Sequence, residues 1–372
     1  MNRKTLARAS ALLPLLALFA VTGCGAPVVE ADGPPRVLVS GEALPAGARD
    51  AIAALFADRE AMGETRAILV LRDGKPIYEA YGPEFGPDSK LISWSMAKSV
   101  TSVLVGILVA DGRLVLDDPA PVPAWQRPGD PRGAITLRHL LHMSSGLNHL
   151  ENGDPAWEGD TVAMLFGTAA PDMAAAAEGQ PPVARPDEIY NYSSATTVIL
   201  SDIVAHALTD SDNPAVRRDA VRNFIAGRLA GPLGMTSLTP EFDAKGTMIG
   251  GSIMHATARD YARFGEFLRR GGTTVSGQRL LPESWMRFML TPAPADGGYG
   301  GHIWLNRPRP AGSGQALWPG EGPSDIFACL GHQGQFIVVS PRQKLTVVRL
   351  GISTDAQIDH VRDGLRDVMR AL

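Results

Sequence analysis

The chain of 372 residues has only two cysteines, Cys24 and Cys329, which excludes a disulfide-stapled scaffold. It has six lysines, at 4, 75, 90, 98, 245 and 344. Its formal net charge is −4 and its pI about 6.1, so nothing in the composition argues for a nucleic-acid partner. It has no Gly-x-Ser-x-Gly elbow, which argues against an α/β-hydrolase. There is no internal repeat and no second long apolar run after the N-terminus. His139, His142 and His149 lie close in sequence but lack the carboxylate or cysteine spacing of a metal site, so no metal and no cofactor is expected. What is present is an ordinary globular balance, 45% hydrophobic and 20% charged.

Residues 1–24 read as an export signal. Arg3, Lys4 and Arg8 form a positive start, Ala11 to Val21 is apolar, and Val21-Thr22-Gly23-Cys24 closes the segment. That ending resembles a bacterial lipobox, which implies lipidation of Cys24, export, and a membrane anchor, with the outer membrane favoured over the inner. Residues 25–46, rich in Pro, Gly and Ala, read as a tether. The remainder is long enough for a large core in one or two domains.

The body begins with helical spacing from Ala48 to Arg59. A hairpin signal follows: Ala67 to Arg72, then Asp73-Gly74 as the tight turn, then Lys75 to Tyr81. Helical segments broken by Pro and Gly come next, among them 137–143, 160–165, 196–208, 219–229 and 259–270. The C-terminal part returns to strands at 300–306, 326–330, 335–340 and 345–352, and residues 355–372 close as an amphipathic helix. The order predicts an α+β fold. An antiparallel sheet is assembled from both chain ends (residues 47–94 and 295–372), flanked by N- and C-terminal helices, with a mainly helical domain inserted at 95–294.

Ser95-Met96-Ala97-Lys98 stands where sheet gives way to helix. Met96, Val100, Val103, Leu104, Ile107 and Leu108 recur at the spacing of a buried helix face, and Asp111-Gly112 supplies the stop. Ser95 and Lys98 therefore share a face, one turn apart. A serine hydroxyl is a weak nucleophile until a neighbour takes its proton, and a helix start favours a developing oxyanion. With 21 serines and six lysines, chance supplies roughly a third of a Ser-x-x-Lys match, so the pattern alone is weak. Its setting, the only such match inside an apolar helix signal, strengthens it.

Two more stretches carry chemistry. Tyr190-Asn191-Tyr192-Ser193-Ser194 precedes a helix, and two tyrosines among polar residues do not read as core. A phenol beside an ammonium has a lowered pKa and can move protons. Gly331-His332-Gln333-Gly334-Gln335 lies between two β runs, where a strand edge can offer an amide N–H to an oxyanion.

Together, Ser95-Met96-Ala97-Lys98, Tyr192-Ser193-Ser194 and His332-Gln333-Gly334 resemble the three motifs of the serine β-lactamase and penicillin-binding superfamily. They are most similar to its class C branch with the family VIII carboxylesterases, D-amino-acid peptidases and 6-aminohexanoate-dimer hydrolases. Leu140 to Leu147, Gly231 to Met235 and Ser252 to Gly265 also look familial. The resemblance implies that Ser95 is the nucleophile, Lys98 assists its deprotonation, and Tyr192 rather than Tyr190 is the general base and acid. It implies an oxyanion hole from the amides of Ser95 and Gln335, with His332, Gln333, Gly334 and Ser194 binding substrate. Two departures weaken the case for β-lactams. Ser194 stands where class C enzymes have Asn in Tyr-x-Asn, and His332-Gln333-Gly334 stands for Lys-Thr-Gly, whose lysine holds the substrate carboxylate.

The expected activity is hydrolysis of small esters or linear amides through an acyl-enzyme. A β-lactamase or D-Ala peptidase is the alternative within enzymes. A catalytically silent lipoprotein that binds cell-envelope fragments is the alternative outside them, and it has no need of Ser95, Lys98 and Tyr192 together.

Overall fold

Ala67-Ile68-Leu69-Val70-Leu71 is apolar at every position, as a strand covered on both faces requires. A computed structural model describes residues 33–40 and 44–372. Cys24, the signal at 1–24 and part of the 25–46 tether lie outside the described residues. The hairpin strands are β2 (Glu64–Arg72) and β3 (Lys75–Tyr81). Asp73 and Gly74 turn between them with φ of 51° and 80°, the conformation that Asp-Gly provides in a tight hairpin.

All ladders of the main sheet are antiparallel. The remaining strands are β1 (Arg36–Val39), β4 (Lys90–Ile92), β5 (Thr239–Pro240), β6 (Met254–Thr257), β7 (Trp304–Leu305), β8 (Phe327–Gly331), β9 (Gln335–Ser340) and β10 (Leu345–Ile352). Seven form one sheet in the order β1-β3-β2-β10-β9-β8-β7, so its strands come from both chain ends. Arg36–Val39, assigned to the tether from composition, pairs with β3 as an edge strand. The run expected at 300–306 shortens to Trp304–Leu305.

Alternation along β2 divides the core. Ile68 and Val70 pack with Ile52, Leu55, Val361 and Leu365 of the helices Ala46–Ala57 and Asp355–Ala371. Ala67, Leu69 and Leu71 belong to the opposite core with Phe264 and Phe267 of the helix Ala258–Arg269. That helix, read from sequence as part of the helical domain, lies on β9 and β10. A Cβ on its Gly265 would stand 2.6 Å from Thr346 and 2.7 Å from Ile337.

The helix Ala97–Ala110 is buried all round from Ala97 to Leu108, beyond the single buried face its spacing predicts. It packs on the equally buried helix Ser194–Leu208. A second sheet, β4-β6-β5, ties the start of the Ala97–Ala110 helix to the rest. Ser93 closes it, its N–H donating to Met254 O and its hydroxyl accepting from Met254 N–H. Among the described residues no helix is long and apolar enough to cross a membrane.

Candidate active site

Ser95 sits in a 3-10 turn, Trp94–Met96, between Ser93 and the helix Ala97–Ala110. It is partly accessible to solvent. One turn on, Lys98 is 1% exposed, and its three N–H donors all find acceptors. Nζ donates to Ser95 Oγ at 3.0 Å, Ser194 Oγ at 2.8 Å and the Gly251 carbonyl at 2.7 Å. Burial lowers its pKa from 10.5 to about 8, against an opposing pull from Glu151. Holding the ammonium charged there costs roughly 3 kcal/mol on balance.

The Tyr192 ring lies against Lys98, its centroid 4.7 Å from Nζ. Its phenol shares a hydrogen bond with Ser95. The expectation that the ammonium would lower this phenol is reversed. Burial, then the charge of Glu151, push it well above its ordinary value of 10, and only the Ser95 bond acts the other way. Tyr192 is thus a neutral phenol at neutral pH. Tyr190 is turned elsewhere. Its ring packs on Tyr299, with Arg309 held 5.6 Å above it, and its buried hydroxyl has no partner among the described residues. Tyr299 and Trp304 brace Tyr192 from the other side.

Ser194, expected to bind substrate, is 1% exposed and faces Lys98 instead. Ser193 caps the Ser194–Leu208 helix with its hydroxyl, which fixes Ser194 at the first turn. The Ser194 hydroxyl accepts from Lys98 and donates to Glu151 Oε1 at 2.8 Å. The other oxygen of Glu151 accepts from Ser194 N–H at 2.5 Å and from Thr161 Oγ1 at 2.8 Å. Glu151 was missed in the sequence. It sits in an irregular polar loop, its partners are 10 and 43 residues away, and no local pattern marks it.

The third stretch also lies differently. His332-Gln333-Gly334 is the turn between β8 and β9, with His332 exposed. The strand passing the Trp94–Met96 turn is β8. A Cβ on Gly331 would stand 2.3 Å from the Ser93 carbonyl, a close approach that only glycine allows, and Cys329 meets the Ser99 hydroxyl one helical turn beyond Ser95. Asn306 N–H donates to Ile326 O across the β7 edge. Antiparallel alternation then turns Ala328 and Leu330 toward that edge, and Gly331 toward its partner Gln335 in β9. β7 pairs with β8 only at Phe327 and Ala328, so Leu330 N–H is beyond that ladder, on the same edge of β8. Gln335 N–H points into the β8–β9 ladder. Gln335 N–H is therefore taken up by the ladder, whereas Leu330 N–H is left on the opposite edge of β8.

Arg349, the cation beneath this turn, is fully buried and donates to the carbonyls of Gln333, Gly334, Met62 and Glu64. His139 caps a helix with Thr136, His149 bridges Thr196 and the Ala177 carbonyl, and His142 packs on Phe288. A cavity of about 620 Å³ between β1, β3 and the Ala46–Ala57 helix holds none of the Ser95 cluster.

The family model described as Beta-lactamase matches residues 52–362. A 6-aminohexanoate-dimer hydrolase of Paenarthrobacter ureafaciens is 27% identical over 351 residues, 87% of this chain and 83% of that protein. A family VIII carboxylesterase structure superposes with a TM-score of 0.58 at 16% identity, covering 88% of this chain and 97% of its own. A penicillin-binding protein homologue from Caulobacter crescentus gives 0.59 at 17%, again covering 88% and 97%. Those two likenesses establish a shared fold.

Proposed function

The chain belongs to the Beta-lactamase family and is a serine hydrolase, and from that premise we propose that it cleaves small esters or linear amides through an acyl-enzyme on Ser95. The observation that carries the residue assignment is the buried Lys98 ammonium, 3.0 Å from the Ser95 hydroxyl with its pKa lowered to about 8. Near that pH about half of the lysine is neutral, and a neutral amine can take the Ser95 proton as the hydroxyl attacks the substrate carbonyl. The amides of Ser95 and Leu330 receive the oxyanion. Tyr192, a protonated phenol bonded to Ser95, gives its proton to the leaving alcohol or amine, and Lys98 restores it. Water then enters, Lys98 and Tyr192 relay its proton, and the acyl group leaves Ser95 as the acid. Lys98 is thus the base and Tyr192 the acid of the first step, which narrows the dual role first given to Tyr192.

The substrate class rests on two supports. One is the relative named for the 6-aminohexanoate dimer. The other is the β8–β9 turn, which offers an exposed histidine where a β-lactamase has a lysine. The direct test is a phosphonate ester reagent followed by peptide mass mapping. Label on Ser95 is expected in the native chain, with labelling slowed in Lys98→Ala. An unlabelled Ser95 beside an active enzyme would remove the reading. We further propose that lipid on Cys24 anchors the exported protein to the membrane, with the outer membrane as its address. Cys24→Ser should move it to the soluble fraction, and equal membrane retention would count against the anchor.

A further inference from the structure

We propose that Trp94 and Gln333 form a clamp that holds the two oxyanion donors, the amides of Ser95 and Leu330, at a fixed spacing. The inference rests on the acyl-enzyme reading above and adds two positioning residues to it. The two donors come from distant parts of the chain. One is on the Trp94–Ser95 peptide, at the mouth of the Ala97–Ala110 helix. The other is on β8, three residues before Gln333. Neither sheet nor helix hydrogen bonds link them directly.

The link is made by side chains. Trp94 Nε1–H donates to Gln333 Oε1 at 3.3 Å, and the Trp94 ring meets His332 edge-on, with centroids 5.4 Å apart. Both ends of that hydrogen bond are held in an uncommon backbone conformation. Trp94 has φ of 43° and Gln333 of 60°, a region that costs a non-glycine residue and persists only where its surroundings enforce it. Such strain gathers at sites that need one geometry.

The Gln333 end has its own anchor. Its carbonyl accepts from Ser353 N–H at 3.0 Å and from Arg349 Nη1 at 3.4 Å, and the Gly334 carbonyl accepts from the same Nη1 at 2.8 Å. Gly334 is itself at φ 79°, and a Cβ there would stand 2.7 Å from that nitrogen. Arg349 also grips Thr65 Oγ1, Ser353 Oγ and the Met62 carbonyl. A buried guanidinium with its donors on the backbone thus fixes the turn to the rigid centre of the sheet. The turn fixes Trp94, and Trp94 fixes the peptide that carries the Ser95 amide. Only Trp94 and Gln333 need be altered to open this chain of contacts, and neither touches the reacting atoms in the scheme above.

The test is a double-mutant cycle on p-nitrophenyl butyrate with Trp94→Phe, Gln333→Met and both together. Phe keeps an aromatic ring without the donor, and Met keeps length without the acceptor. Each single change should lower kcat about 10- to 100-fold through a misplaced donor, with KM nearly unchanged. A boronic acid that mimics the tetrahedral intermediate should weaken in proportion. The double variant should lose no more than the larger single loss, because either change breaks the same contact. Additive losses, or a rise in KM at constant kcat, would overturn the clamp. Melting temperatures keep a general loss of fold apart from the effect sought. Phosphonate labelling separates the two readings. No label on native Ser95 rejects the acyl-enzyme, whereas native-rate labelling and turnover in Gln333→Met reject the clamp alone.

Discussion

Glu151 and Lys98 face one another 4.0 Å apart, and the Ser194 hydroxyl bridges them, accepting from the ammonium and donating to the carboxylate. This sets the basicity of Lys98. Burial alone would depress the lysine further, and the carboxylate pulls it back toward the charged form, leaving a pKa of about 8. The pair is almost dry on the lysine side and partly wet on the glutamate side, so solvent screening does not cancel it.

The first prediction is a pH profile. Only neutral Lys98 can accept the Ser95 proton, so kcat/KM should rise tenfold per unit at low pH and level off above a midpoint near 8. The sign follows from the group being a base whose pKa is lowered: activity is lost as pH falls through it. Initial rates from pH 5 to 10 measure it, and a flat profile over that range would remove Lys98 as the base.

A second prediction concerns Glu151→Gln. The amide keeps an acceptor for Ser194 but removes the charge that raises Lys98. The midpoint of the pH profile should therefore move to lower pH. The weaker base should slow the plateau by less than the 10²–10⁴-fold typical of losing a proton-transfer group. A midpoint that stays in place, or moves up, contradicts the pairing.

Tyr192→Phe and Tyr190→Phe should part company. The first removes the phenol bonded to Ser95 and should cost roughly 10²–10⁴-fold in kcat. The second removes a buried hydroxyl with no partner among the described residues, so kcat should hold and the melting temperature should not fall. Equal losses in the two variants, read by turnover of one ester, would cancel the assignment.

Short esters should be cleaved with a much higher kcat/KM than cephalosporins. An ester needs attack and oxyanion stabilisation, whereas a β-lactam must also be held by its carboxylate. The turn presents a histidine rather than the permanent cation of a lysine, and Arg349 is committed to the backbone beneath the turn. The comparison is p-nitrophenyl butyrate against a chromogenic cephalosporin at pH 7. A higher value for the cephalosporin would make β-lactam hydrolysis the better reading.

Much of this protein is written locally. Strands β9 and β10 and the hairpin turn at Asp73-Gly74 follow from runs of apolar residues and one dipeptide. The nucleophile helix, with Ser95 and Lys98 on one face, follows from spacing alone. These are short-range facts, fixed by φ/ψ preference and by the period of side chains along a helix or strand. The rest depends on where distant segments meet. Glu151 joins Lys98 only because its loop crosses the start of the Ser194–Leu208 helix. Lys98 acquires a pKa of about 8, and Tyr192 one above its ordinary value, only through desolvation by the packed core. The proposal of Leu330 over Gln335 turns on Gln335 N–H lying in the β8–β9 ladder and Leu330 N–H on the opposite edge of β8. A one-residue step reverses that edge, because N–H groups alternate between neighbours along a strand. Sequence by itself placed Ser95 and Lys98 one turn apart; burial and strand register, which exist only in the folded chain, decided the basicity of Lys98 and which strand amides are left outside the ladders.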